Sequence, residues 1–123
     1  MKISFTTIAR GDDSAYGAPA RLLIPHHARW EAVWRRHVSD LSPPPPIPKI
    51  DFDREAVLAV FSEEERTAGH RVEIVAVEQQ GSVLIVKIRQ RQAGRATQDV
   101  ITRPFHIVRV DTVGVGEASF RIV

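Results

Sequence analysis

The side chains best suited to chemistry lie close together in one short stretch, Arg66-Thr67-Ala68-Gly69-His70. This stretch combines a guanidinium, a hydroxyl and an imidazole around a glycine, immediately before an alternating strand pattern. Gly69 permits a tight turn with a positive φ, and the Thr67 hydroxyl can bond to turn backbone. Two interpretations remain open: a purely structural turn, or a small polar binding site formed by Arg66, Thr67, Gly69 and His70.

Recognisable catalytic and metal-binding signatures are absent from the sequence. A nucleophilic site needs Ser or Thr near a His and a carboxylate, but no G-x-S-x-G motif accompanies the five histidines. The chain has no Cys, which excludes disulfides and thiolate ligands. His26 and His27 are adjacent, without the spacing of metal ligands on a helix. We therefore predict no catalytic residue, no metal and no cofactor, with a hydrolase that uses His70 or His106 as the weakest alternative.

The charges are segregated along the chain although the net charge is only +2. Residues 50–80 carry eight Asp/Glu against three Lys/Arg, whereas residues 81–110 carry six Lys/Arg against Asp99 alone. Opposite charges on neighbouring strands would neutralise each other across a sheet, which is our interpretation. Binding of single-stranded nucleic acid needs aromatic rings interleaved with basic residues, and Phe105 is the only Phe, Tyr or Trp in the basic stretch. We therefore predict no nucleic-acid partner.

One amphipathic helix is predicted from His27 to about Val38. Its apolar residues recur at intervals of three and four, which produces one apolar stripe. Trp30 and Trp34 lie on this stripe, and large aromatic side chains bury enough surface to anchor a helix on a sheet. The alternative is that both indoles line a cleft for a small ligand. The members of the stripe are Trp30, Val33, Trp34, His37, Val38 and Leu41.

The remaining patterns predict a mainly β fold with about seven short, mainly antiparallel strands. The segment Ala56–Ser62, which contains Phe61, is apolar on both faces and is predicted to be central. We expect a single domain, 1–123, folded as a sandwich or partly open barrel with the helix packed on it. The strand segments are Lys2–Ala9, Ala56–Ser62, Arg71–Glu78, Ser82–Arg91, Val100–Thr102, Phe105–Asp111 and Ala118–Val123, with Leu22–Ile24 as a further candidate and a loop at Ala93–Ala96.

Two local features fix details of this arrangement. Gly81 is predicted to end a three-residue hairpin loop, which pairs Glu78 with Ser82 and places Glu73 opposite Lys87. Pro104 cannot donate to a strand ladder, so it marks an edge or a bend. The structural residues are therefore Trp30, Trp34, Phe61, Gly81 and Pro104.

Four consecutive prolines, Pro43–Pro46, follow the helix. Such a run forms a stiff polyproline II segment. Its position between a helix and a strand favours a rigid connector across the outside of the sheet. The alternative is a ligand segment for SH3 or WW domains.

No apolar run is long enough for a membrane span, and the alternation around Ile3 and Phe5 is that of a strand, unlike the core of a signal peptide. We therefore expect a cytoplasmic protein without a membrane span. Export with a leader that precedes this sequence is the alternative.

Several segments together resemble the PrcB C-terminal domain family, which takes its name from a subunit of a bacterial protease complex. They are W-x-x-x-W-x-x-H from Trp30, P-x-P-x-x-D-F from Pro46, the turn R-T-A-G-H-R-V-E-I from Arg66 and T-R-P-F-H-I-V-R-V from Thr102. The family turn typically reads T-G-G-Y, so His70 replaces a tyrosine. The resemblance implies a non-enzymatic, protein-binding or protease-stabilising role, with a protease or complex subunit as partner. A small-ligand carrier or sensor with a cleft near the tryptophan-bearing helix remains the alternative.

Overall fold

A computed structural model of the chain describes residues 1–92, 94 and 99–123. These residues form one helix and nine strands, and the loop predicted at 93–96 lies outside them except for Gly94. No described helix is long and apolar enough to cross a membrane. The elements are β1 Phe5–Gly11, β2 Ala20–Ile24, α1 His27–His37, β3 Ala56–Phe61, β4 Glu65–Thr67, β5 Arg71–Gln80, β6 Val83–Arg91, β7 Asp99–Thr102, β8 Phe105–Val110 and β9 Glu117–Ile122.

The strands form two sheets and a small ribbon. The helix-side sheet has the order β1-β8-β3-β2 and is antiparallel, the open sheet has the order β5-β6-β9, and β4 pairs with β7 in the ribbon. The prediction of a mainly β, sandwich-like fold with one helix is confirmed. Two details differ from the prediction. Strand β4 was not predicted, because it follows an acidic run and lacks apolar alternation. Strand β9 runs parallel to β6. Between β8 and β9 the chain passes from the helix-side sheet to the open sheet.

Strand β3 is central and all six of its residues are buried. One face of β3 contributes Leu58 and Val60 to a core between the two sheets. The other face contributes Val57, Ala59 and Phe61 to a second core beneath α1. An uninterrupted apolar run is typical of a strand that is covered on both sides. The domain therefore has three layers, namely the open sheet, the helix-side sheet and α1.

The helix is held by its two indoles. Trp30 is 0% exposed and Trp34 is 6% exposed, and both belong to the core beneath α1. The Trp30 Nε1–H donates to the Pro48 carbonyl at 3.0 Å, and the Trp34 Nε1–H donates to the Pro45 carbonyl at 3.2 Å. Polyproline II has three residues per turn, so these two carbonyls lie on one side of the segment. The proline connector therefore lies along α1, in contrast to the predicted path across the sheet.

The predicted register of the β5–β6 hairpin is wrong. Gln80 pairs with Val83, so the turn has two residues and begins at Gly81, whose φ is +63°. A β-bulge between Ile74 and Ala76 shifts the pairing once more, because one extra residue is inserted into β5. The consequence is that Glu73 lies opposite Arg89 and not opposite Lys87.

Candidate functional site

The turn between β4 and β5 gathers three of the four predicted binding residues. Gly69 has a φ of +92°, a conformation that L side chains rarely adopt. It brings Thr67 Oγ1 to 2.7 Å from His70 Nε2. Arg66 is exposed, while its strand neighbours are partly buried, so alternation along β4 directs Arg66 to the other face of the ribbon. The turn therefore unites Thr67, Gly69 and His70 and leaves Arg66 apart.

The geometry of this turn does not match a nucleophilic triad. Glu65 Oε2 lies 3.8 Å from the same His70 Nε2 that contacts the Thr67 hydroxyl. In a triad the nucleophile and the carboxylate contact different ring nitrogens. One nitrogen exchanges a proton with the nucleophile, and the other donates to the carboxylate that orients the ring. These contacts fix the orientation of the imidazole.

His106 links the two sheets as a neutral side chain. Its Nδ1 accepts from the backbone N–H of Ile74 in β5 at 2.8 Å, so the proton resides on Nε2, which lies 2.9 Å from Thr7 Oγ1 in β1. Burial, and to a smaller extent the nearby Arg10, lower the pKa of His106 to about 4 against the opposing effect of Glu73. His106 is 2% exposed, which excludes it from contact with a substrate.

His37, the second buried histidine, also has a structural environment. Its Nδ1 lies 2.7 Å from the hydroxyl of Ser14, which in turn accepts from the backbone N–H of Tyr16. Burial lowers the pKa of His37, against the opposing charges of Asp13 and Asp40. Ser14 is 2% exposed, so the pair is closed to solvent. In the part of the chain that the structure describes, no group of three or more His, Asp or Glu could hold a metal ion.

The predicted neutralisation of charge between neighbouring strands occurs at several positions. Lys87 Nζ lies 3.5 Å from Glu78 in the open sheet. Arg103 contacts Glu64 at 2.6 Å and Arg109 contacts Glu55 at 3.6 Å. These pairs join the basic and acidic parts of the sequence.

The solvent side of the open sheet is neutralised only in part, since Lys87 is the one of its described cations that has a carboxylate partner. Alternation places five basic side chains on this side, which we call the arginine face: Arg71, Lys87, Arg89, Arg91 and Arg121. Arg71 lies directly opposite Arg91, and Lys87 lies directly opposite Arg121. Sequence reasoning missed this face because it expected the acidic stretch to neutralise the basic one, although the predicted register already placed Arg71 opposite Arg89. One signal was visible, namely the basic residues at alternate positions from Lys87 to Arg91.

A cleft lies beside α1, on the side of the molecule away from the arginine face. It has a volume of about 710 Å³ between the helix and the proline connector. Its walls include Trp34, Val38, Leu41 and Ile47, and Leu41 is 46% exposed. This cleft is the described counterpart of the ligand cleft considered from the sequence.

Comparison with known proteins gives one match. The model of the family described as PrcB C-terminal matches residues 56–111. This segment runs from the first residue of β3 to just beyond β8, so α1 and the proline connector lie outside it. No curated protein and no solved structure matches the chain.

Proposed function

Because residues 56–111 of this chain belong to the PrcB C-terminal family, we propose that the domain is a non-enzymatic protein-interaction module of the protease-accessory type. It binds a protease or another subunit of the same complex and helps that complex to form or persist. The protease association rests on the family name, and the binding role rests on the exposed side of the open sheet.

The observation that supports binding most directly is the unequal cover of the two sheets. The helix-side sheet is buried on one side by the open sheet and on the other by α1. The outward residues of the open sheet include several exposed side chains, among them Arg71, Arg89, Glu117 and Arg121. No described element covers this side, which leaves it accessible to a partner. Its outer strand β9 is also a sheet edge, and such edges can accept a strand from another chain.

The placement of the histidines supports a non-enzymatic role. His37 and His106 bond to groups inside the fold and are buried. Catalytic groups are expected to converge on a cleft with a reachable nucleophile. The buried histidines instead join secondary structure elements to each other.

The proposal is tested by capture from an extract of the organism that encodes the protein. The tagged domain should retain one protein in constant ratio, and an excess of untagged domain should displace it. A bait that carries Arg66→Ala and His70→Ala reports on the turn, because retention falls only if those side chains contact the partner. Retained proteins are identified by mass spectrometry.

Two results would contradict this function. One is the absence of any protein that the untagged domain displaces. The other is hydrolysis of ester or peptide substrates by the purified domain that His70→Ala removes, since this would identify an enzyme.

The cleft beside α1 favours a second candidate function, a carrier of small apolar ligands. Largely apolar walls and a few polar groups are typical of ligand sites. Trp34 lines the cleft, so an apolar ligand such as a fatty acid should quench its fluorescence in a saturable manner. Leu41→Glu should weaken that quenching, because Leu41 lines the cleft. An exposed control is Val113→Glu, since Val113 lies outside the cleft and is 45% exposed. Quenching that is absent or unsaturable excludes the carrier role.

A further inference from the structure

We infer that the arginine face docks an extended acidic segment of a partner protein. The inference rests on the proposed interaction role and adds the chemistry of the partner. The arginine face consists of Arg71, Lys87, Arg89, Arg91 and Arg121, as defined above.

The arginine face carries an excess of positive charge that the fold neutralises only in part. Arg71 lies opposite Arg91 in an antiparallel pair, where side chains stand about 5 Å apart at Cβ and like charges are destabilising. Arg89 lies opposite Glu73, but Glu73 Oε1 is also 3.4 Å from Arg10 Nη1. Within the described chain, no ion pair includes Arg71, Arg89, Arg91 or Arg121.

The direct opposition of two arginines makes this excess informative. Lys87 is the member of the arginine face with a carboxylate partner, Glu78. Elsewhere an exposed cation without an ion pair, such as Arg21, lies opposite an uncharged residue. A row of like charges that is kept at a cost in stability is typical of a functional site, where local consistency is given up for binding. A bound anion would remove the repulsion between Arg71 and Arg91.

The cations of β6 are spaced like alternate side chains of an extended peptide. Lys87, Arg89 and Arg91 occupy alternate positions of β6, and residues two apart in a strand are separated by about 6.8 Å. Carboxylates at alternate positions of an extended peptide have the same repeat. Such a peptide, laid along β6, would bring successive carboxylates to successive cations. Arginine binds a carboxylate through two parallel hydrogen bonds, which favours a carboxylate ligand at Arg89 and Arg91.

The composition of the face favours acidic protein over nucleic acid. Single-stranded nucleic acid binds by stacking of bases on aromatic side chains. The aromatic residue of β9, Phe120, packs into the core between the sheets. The outward positions of β5, β6 and β9 hold no aromatic residue, so the face offers charge without a stacking surface.

The test uses the whole chain and a fluorescent peptide of about ten residues in which Glu and Ser alternate, chosen to match the strand repeat. Fluorescence anisotropy should show binding at low salt that weakens at about 0.15 M salt, because exposed charges are screened. Arg71→Glu with Arg91→Glu should weaken binding at least about tenfold, in line with the loss of charge-assisted hydrogen bonds. Arg21→Glu with Arg29→Glu is the charge-matched control on β2 and α1, and should leave affinity unchanged.

A neutral variant separates binding from folding. Arg71→Gln with Arg91→Gln removes the like-charge row, so its thermal midpoint should be no lower than that of the wild type while its peptide affinity falls. The inference is overturned if the Glu-Ser peptide does not bind, if both reversed variants lose affinity equally, or if a Gln-Ser peptide binds as well. Tighter binding of a thymidine oligonucleotide than of the acidic peptide would assign the face to nucleic acid.

The capture experiment distinguishes the failure of this inference from the failure of the proposed function. If the Arg71→Glu, Arg91→Glu bait retains the same partner as the wild type, the interaction role stands and the arginine face is not its docking site. If the domain binds the acidic peptide but retains no displaceable protein, the interaction role fails.

Discussion

Replacement of Trp30 by alanine should reduce the free energy of unfolding by about 3–5 kcal/mol, the range observed for truncation of buried aromatic side chains. Trp30 is 0% exposed and packs between α1 and the helix-side sheet. The substitution creates a cavity in this core and removes the hydrogen bond to the Pro48 carbonyl. Since α1 is a single helix of eleven residues, tertiary packing must supply most of its stability. Urea denaturation followed by far-ultraviolet circular dichroism measures the change.

Two further variants separate the contributions at this position. Trp30→Phe keeps most of the apolar volume and loses the indole N–H, so it should cost less than Trp30→Ala. Arg29→Ala, at the exposed neighbouring position on the same helix, should change stability by less than about 0.5 kcal/mol. If Trp30→Ala were as mild as Arg29→Ala, α1 would not depend on its indole anchor and the three-layer account would be wrong.

Acidification should destabilise the fold by about 3 kcal/mol between pH 6.5 and pH 4 through His106 alone, at about 1.4 kcal/mol per unit of pKa shift. Burial, with help from Arg10, lowers the pKa of His106 from 6.5 to about 4. Between these values the unfolded chain binds a proton that the folded chain does not. The stabilisation is therefore complete above pH 6.5 and is lost as the pH falls towards 4.

Burial is the main cause of this shift, and protonation would also remove the hydrogen bond that Ile74 donates to Nδ1 of His106. Protonation of Nδ1 would place its N–H against the backbone N–H of Ile74, so that two donors face each other. The link between β5 and β8 would then break. His106→Asn should therefore lower stability at neutral pH and flatten its dependence on pH, although His37, whose pKa is also lowered, adds a remaining slope of the same sign. Equal slopes in the wild type and His106→Asn, from urea denaturation at several pH values, would contradict this account.

The sequence patterns predicted the layers better than the pairings. The apolar run of β3 and the stripe of α1 are local patterns, and both indicate burial directly. The register of β5 and β6 depends on a bulge near Val75 and on where Gly81 lies in its turn, and neither is visible in periodicity. The short strand β4 lacks apolar alternation altogether.

The candidate site was predicted only in part for a similar reason. Thr67, Gly69 and His70 are neighbours in the chain, so their contact follows from one turn. The contact between Thr7 and His106 spans 99 positions, which no local pattern encodes. The pairing of Arg71 with Arg91 depends on the same register that the bulge shifts.

The twofold burial of β3 also determines how the domain can be divided. A fragment trimmed to residues 56–111, the stretch by which the family is recognised, would keep β3 and β8 but lose α1, β1, β2 and β9. The side of Val57, Ala59 and Ile107 that α1 covers would then meet water, and β6 would gain a bare edge of the kind that promotes aggregation. The stretch matched by the family model is therefore smaller than the set of layers that pack together, and expression boundaries have to follow the packing of the layers.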